Sequence, residues 1–296
     1  MAIKEKDIRE YLFFDEPVPY KNLKIRCATV KEYLALHTYS NALLAERDDP
    51  AMLAKPEDAE IVSKMDFLNF LFYLGTNHKL ERVTGQPYLF LLDKLLKLVC
   101  DLPATKENQK TKKIEPYIDF SVDKKTGKAI FVIEDQVFTG EDIDNISDII
   151  CIQNGVEKTD YSKTKELRDI LDGALEYKTK ASGGKKTADF ENQITALAVI
   201  TGWTMDYIYK LSLRKFNQAI SRADKIETWK IFTLASMTGL VKFPANTPGA
   251  EHWLCDLTEK DKYESVTNSL ENLNKKISGE EAMEKAKEKI EKINHR

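Results

Sequence analysis

Apolar residues recur three and four positions apart along most of this 296-residue chain. Ile143, Ile146 and Ile149 show this spacing near the middle, and Ile194 and Leu197 show it further on. Because an α-helix has 3.6 residues per turn, such residues share one face that can be buried against a core. The chain is therefore predicted to be mainly α.

One stretch departs from this spacing. Ile118, Phe120 and Val122 alternate with polar residues, and a second β-rich run follows from residue 128 to 134. Gly127 lies between the two runs and adopts a positive φ at no steric cost, as hairpin loops require. The pattern predicts a β-hairpin over residues 116–134. The alternation at Leu23–Cys27 predicts a further short strand.

The composition predicts four regions. We expect an N-terminal helical body with an extended arm at 1–110, and a β-hairpin plus a helix at 111–156. A polar segment and flexible hinge follow at 157–187, because the run Ala181-Ser182-Gly183-Gly184-Lys185-Lys186 has the composition of a linker. The last region, 188–296, is expected to be a helical C-terminal domain with a charged tail helix. Within it, separate helices are predicted around Phe216 and Trp229.

The charge balance excludes two broad classes of function. The chain has 45 Lys and Arg against 48 Asp and Glu, a net charge of -3, whereas proteins that coat nucleic acids or membrane surfaces need an excess of basic residues. The strongest apolar run, 67–74, is interrupted by Asn69 and is much shorter than the roughly 20 residues of a membrane span. No signal-peptide pattern is seen at 1–10, so a cytoplasmic protein is expected.

No local motif predicts catalysis. The four cysteines show no CxxC spacing, and the four histidines show no HxxxH spacing. His252 and Cys255 are three residues apart but lack two further local ligands. The run Gly183-Gly184-Lys185 misses the spacing of a phosphate-binding loop, and no GxSxG motif is present. We therefore expect no catalytic residue, no cofactor and no metal site.

One pattern is typical of DNA-binding proteins. Residues 189–223 predict a helix, a turn at Gly202, a short helix and a third helix, which is the order of a helix-turn-helix unit. The basic residues of this region are Lys210, Arg214, Lys215 and Arg222. The same order of helices also occurs in proteins that do not bind DNA. Nucleic-acid binding therefore stays an alternative.

Four aromatic residues are candidates for contact with a partner protein: Trp203, Tyr207, Trp229 and Trp253. Aromatic side chains are enriched where proteins dock, because one side chain supplies a large apolar area. Aromatic residues at helical spacing also build ordinary cores. The sequence leaves both interpretations open.

Three groups of segments resemble sequences of a known protein family. These are 15–25 (DEPVPYKNLKI) with 30–33 and 67–74, then 196–208 (ALAVITGWTMDYI) with 211–216, and finally 252–254 with 259–263. Through them the chain resembles the tail assembly chaperones, and related tail-morphogenesis proteins, of phages that infect Gram-positive bacteria. The segments are aliphatic and aromatic, and they carry no catalytic motif.

The resemblance implies a non-catalytic function. Such chaperones are thought to cover the long hydrophobic helices of the tape-measure protein until tail-tube subunits polymerise around it. The implied partner is a phage tape-measure or tail-tube protein, in the cytoplasm of the infected bacterium, and self-association is also compatible with it. The alternatives are a structural subunit of the virion tail or baseplate, and a helix-turn-helix DNA-binding protein.

Overall fold

A computed structural model gives the structure of part of the chain. It describes residues 3–53, 55–76, 87–107, 112, 114–159, 161, 163–181, 189–239, 243 and 252–254. By its contacts the chain divides into two compact units. The first comprises residues 1–160 and 190–253, and the second comprises residues 161–189 and 254–296.

Helices make up most of the described residues, which confirms the mainly α prediction. The α-helices are α1 (Arg9–Phe14), α2 (Tyr33–Tyr39), α3 (Ala59–Ser63), α4 (Phe67–Thr76), α5 (Tyr88–Val99), α6 (Gly140–Asn154), α7 (Lys165–Ala181), α8 (Phe190–Thr201), α9 (Met205–Lys210) and α10 (Leu213–Met237). Short 3-10 helices lie at Glu5–Asp7, Val30–Glu32, Ser40–Leu43, Pro50–Met52 and Pro56–Asp58.

In the part of the chain that the structure describes, three small antiparallel sheets accompany the helices. Their strands are β1 (Val18–Tyr20), β2 (Leu23–Ile25), β3 (Thr105–Glu107), β4 (Ile114–Pro116), β5 (Ile118–Val122), β6 (Ala129–Ile133) and β7 (Gln136–Phe138). They pair as β1-β2, β3-β4 and β5-β6-β7. The β5-β6 pair, with Ile118 opposite Ile133, confirms the predicted hairpin, and Gly127 has φ 68° in its loop.

Helix α6 shows how the sequence sets an element. At its start the Thr139 N–H donates to the Asp142 carboxylate at 2.8 Å, and at its end Gly155 has φ 66°. Both are ordinary terminal signals of a helix. The isoleucines of the predicted face are all buried: Ile143, Ile146, Ile149 and Ile150.

A short segment after β2 joins three parts of the first unit. The Arg26 N–H donates to the Val99 carbonyl at 2.8 Å, at the end of α5. The Ala28 N–H donates to the Asn154 side chain at 2.8 Å, at the end of α6. The Ala28 carbonyl accepts a bond of 2.8 Å from the N–H of Leu213, which begins α10. These bonds fix α10 to the N-terminal half.

Helices α8 to α10 share the core of the N-terminal half. The ring of Phe190 stacks on Tyr33 with centroids 3.7 Å apart, and it also contacts Phe216 at 5.2 Å. Ile194 and Leu197 are buried in the same hydrophobic cluster as the residues of α4 to α6. The expected hinge and the expected separation of a domain at 188–296 are not confirmed. The hinge residues 182–187 and the expected tail helix lie outside the described residues.

Two expectations about helices are corrected. No helix was predicted within the polar segment and hinge expected at 157–187, but Lys165–Ala181 forms α7. Strong helix formers such as Glu, Leu, Arg and Ala fill this stretch and outweigh its polar composition. The helices expected around Phe216 and Trp229 are one continuous helix, α10, of 25 residues. Its sequence has no Gly or Pro that would interrupt it.

Candidate functional site

Helix α8 has two apolar faces. One face buries Ile194 and Leu197 in the core. The other carries Val199, which is 79% exposed, and Ile200, which is 51% exposed. A helix at the surface normally has a polar outer face. Here the exposed side carries Asn192 and Thr195 near the start of the helix, but its C-terminal end is apolar and is not covered by the described residues.

The turn after α8 adds aromatic residues to this outer face. Gly202 has φ 73°, and its N–H donates to the Ala198 carbonyl at 2.8 Å, which ends the helix. Thr204 then caps α9 by accepting from the Tyr207 N–H at 3.3 Å. This geometry brings the rings of Trp203 and Tyr207 together, edge to face, with centroids 5.1 Å apart.

We call the exposed apolar residues of this region the α8-α9 surface. It consists of Val199, Ile200, Trp203, Met205, Tyr207 and Tyr209. In residues 199–209 the one charged residue is Asp206. The six residues of the surface are close together in the sequence, and Trp203 and Tyr207 are in contact. Exposed apolar and aromatic residues are typical of a surface that binds another protein.

Trp229 and Trp253 belong to a second aromatic cluster. The Trp229 ring meets His252 edge to face at 5.3 Å, and His252 lies 5.7 Å from the ring of Trp253. Arg222 donates to the Trp253 carbonyl at 2.5 Å, which holds this segment against α10. Both tryptophans are partly buried. Trp203 and Tyr207 are thus in direct contact, whereas Trp229 and Trp253 both contact His252, and the role of all four in binding stays a prediction.

Sequence reasoning missed one exposed stripe. On α10 the side chains of Ile231, Leu234 and Met237 are all largely exposed. Their spacing of three residues is visible in the sequence, but no role was predicted for these three residues. The face of α10 that is partly covered carries Trp229 and Phe232 instead, with Phe232 against Phe243 at 4.7 Å.

Three of the four basic residues of the helix-turn-helix alternative have partners within the protein. Arg214 pairs with Glu5 at 3.3 Å, and Lys215 pairs with Asp15 at 3.4 Å. Arg222 is the residue that donates to the Trp253 carbonyl. The first turn of α10 also lies under the residue 28–30 segment. A recognition helix needs this turn to be accessible to the major groove.

The charged side chains Arg26 and Asp142 are held by hydrogen bonds from or to other segments of the same chain. Arg26 binds Glu32 through both of its terminal nitrogens at 2.8 Å, and its Nε donates to Asp101. Burial opposes ionisation of Asp142, but hydrogen bonds from Lys21 and from Thr139 keep its pKa below the usual value. Such networks orient chain segments and satisfy buried charge.

The described thiols are poor nucleophiles. Burial raises the pKa of Cys100 to about 12 and that of Cys151 to about 11, and it also raises the pKa of Cys27. A nucleophilic thiol needs the opposite shift, because the thiolate is the reactive form. Among the described residues, no three His, Cys, Asp or Glu side chains are grouped so that they could hold a metal ion.

Comparison with known proteins adds no family to these observations: no protein-family model, no curated protein and no solved structure matches this chain. In the described part of the chain, no helix combines the length and the apolar character needed to cross a membrane.

Proposed function

We propose that this chain is a non-catalytic phage tail assembly protein that binds the tape-measure protein as a chaperone, in the cytoplasm of the infected bacterium. Its binding surface in this proposal is the α8-α9 surface. The observation that carries the proposal is the apolar outer face of α8, with Val199 and Ile200 exposed beside the Trp203-Tyr207 pair.

The chemistry of this surface suits an amphipathic helix as its ligand. Such a helix offers apolar side chains at i, i+3, i+4 and i+7, and these dock on an apolar surface that has few charges. Trp and Tyr are the residues that most often dominate the energy of such contacts. The tape-measure protein is the implied partner because it has long hydrophobic helices, which need cover before the tail tube forms.

The segments that carry the family resemblance include the α8-α9 surface. Residues 196–208 contain five of its six members. Monomeric proteins rarely expose large groups of apolar residues, so their exposure here is typical of a binding surface. The resemblance and the exposed surface are independent observations that support the same proposal, since exposure cannot be read from the sequence segment itself.

A co-purification experiment tests the proposal. The full chain is co-expressed with overlapping segments of the tape-measure protein of the same phage. We expect one or more of its apolar helical segments to co-purify, and Val199→Glu to reduce the affinity about tenfold or more, because a charge is then buried without a partner. Val199 lies outside the core, so this variant keeps the fold.

Ile61→Glu provides the matched control. Ile61 is 61% exposed on α3 and is outside the α8-α9 surface, so its substitution should leave binding unchanged. If both variants bind as the wild type does, the α8-α9 surface is not the contact. If no tape-measure segment binds and the protein is present in purified virions, the structural-subunit alternative replaces the chaperone.

A further inference from the structure

Helix α7 carries one band of apolar residues, of which one edge is buried and the other is exposed. Leu171 is 4% exposed, and Ala174 and Leu175 pack against it. Leu167, Ile170 and Tyr177 are 44%, 64% and 76% exposed. We call these three residues the outer face of α7, and the partly buried Ala174 lies at its border with Leu171.

The spacing of the outer face is that of a coiled-coil seam. Leu167, Ile170, Ala174 and Tyr177 are separated by three, four and three residues, which are positions a, d, a and d of a heptad. A seam with this spacing packs against one other helix of the same kind. The 17 residues of α7 contain about two heptads, so the pairing is expected to be weak.

The charges beside the seam select the partner and its direction. Glu166 and Lys180 both occupy position g, and each is seven residues from Gly173. If two copies of α7 run antiparallel and cross at Gly173, Glu166 of each copy lies beside Lys180 of the other. A parallel pair would leave these opposite charges about two heptads apart.

Two local features are compatible with such a crossing. A Cβ atom added at Gly173 would meet nothing within 4 Å, so the backbone there is open to close approach. Lys180 contacts Glu176 of its own helix at 2.6 Å, but both side chains are mostly exposed, and exposed pairs of this kind exchange at little cost.

We propose that two copies of this chain form an antiparallel dimer through the outer face of α7. The second copy is the occupant because the same helix supplies both the apolar seam and the complementary charges. The proposal does not depend on the α8-α9 surface or on the tape-measure protein.

Sedimentation of the full chain over a range of concentrations tests the dimer. We expect reversible dimerisation with a Kd on the order of 10 µM or weaker, as for a short seam. Ile170→Glu should weaken it at least tenfold, because it places two like charges in the seam. Ile61→Glu, at a similarly exposed isoleucine, should leave it unchanged. A wild-type chain that is still monomeric at about 1 mM, or a dimer unaffected by Ile170→Glu, overturns the proposal.

Charge reversal tests the antiparallel direction without touching the apolar seam. Glu166→Lys and Lys180→Glu should each weaken self-association about tenfold, because each creates two like-charge pairs. An equimolar mixture of the two variants should associate about as well as the wild type, since every 166-180 pair is then opposite in charge. Failure of the mixture to recover excludes the antiparallel pairing.

Discussion

At the scale of single residues, Glu32 shows how one carboxylate holds a turn. It accepts from Arg26 at 2.8 Å and from the Thr29 N–H at 2.8 Å, in the segment that also contacts α5, α6 and α10. Burial alone would raise the pKa of Glu32, but the hydrogen bonds from Arg26 and Thr29 outweigh it and lower the pKa to about 2. The folded protein therefore favours the ionised form.

This shift predicts a pH-dependent contribution to stability. In the unfolded chain the pKa of Glu32 is near the ordinary glutamate value of about 4.3. The stabilisation is complete above that pH, and it is lost as the pH falls toward about 2. We expect Glu32→Gln to lower the free energy of unfolding by roughly 1–2 kcal/mol at pH 7, a value reduced for solvent screening, and by about half as much at pH 3, where the folded protein still holds the carboxylate ionised.

Urea unfolding of the two proteins at pH 7, 5 and 3 measures this difference. Glu57→Gln is the control, because Glu57 is exposed in the Pro56–Asp58 turn. Its effect should be small at every pH. A Glu32→Gln effect of equal size at pH 7 and pH 3 would show that the carboxylate charge contributes nothing.

At the scale of elements, the start of α6 lies so close to the residue before α4 that its first position has no room for a side chain. Gly140 is the first residue of α6, and a Cβ atom there would lie within 2.9 Å of all three carboxyl atoms of Asp66. Asp66 is held in place because it accepts from the Asn69 N–H at 2.9 Å at the start of α4. The glycine is thus required by packing.

We expect Gly140→Ala to destabilise the protein by about 1–3 kcal/mol, because either the Asp66 cap moves or the two helices separate. The free energy of unfolding in urea measures it. In an Asp66→Ala background the same substitution should cost far less, since the clashing carboxylate is gone. Additive effects of the two substitutions would show that the close approach is not the cause.

Elements differ in how far the sequence predicts them. The isoleucines of α6 and the alternation of β5 and β6 follow directly from burial on one face, so both were predictable. Helix α7 was not, because polar residues dominate its composition while its seam of Leu167, Ile170 and Tyr177 is exposed rather than buried. Periodicity identifies an apolar face, but it does not tell whether the same chain covers that face.

The same limit applies to the candidate site. Trp203 and Tyr207 could be chosen from the sequence as aromatic residues at helical spacing, and the structure places both at the surface. The exposure of Val199 and Ile200 could not be predicted, because α8 has apolar residues all round. Which face is buried is decided by contacts with distant residues, such as the stacking of Tyr33 on Phe190.

At the scale of the whole molecule, electrostatics predicts how the chain behaves toward DNA. The net charge is -3, and Arg214, Lys215 and Arg222 all have partners within the protein. Each phosphate contact would otherwise give a log-log salt slope of about -0.9. We expect no retardation of duplex DNA at about 150 mM salt, because contacts with phosphate must first replace these internal ones.

A gel-shift titration at about 50 and 150 mM salt measures this, with a variant in which Lys210, Arg214, Lys215 and Arg222 are all changed to Gln. If the basic residues contact only other residues of the protein, neither the wild type nor the variant retards the DNA. The variant should stay folded, since the two ion pairs contribute under about 1 kcal/mol each and the hydrogen bond from Arg222 about 1 kcal/mol. Sequence-selective binding by the wild type, abolished in a folded variant that still binds the tape-measure segment, would instead establish α10 as a recognition helix. That result requires the residue 28–30 segment to leave the first turn of α10, because its bonds to Leu211 and Leu213 cover that turn.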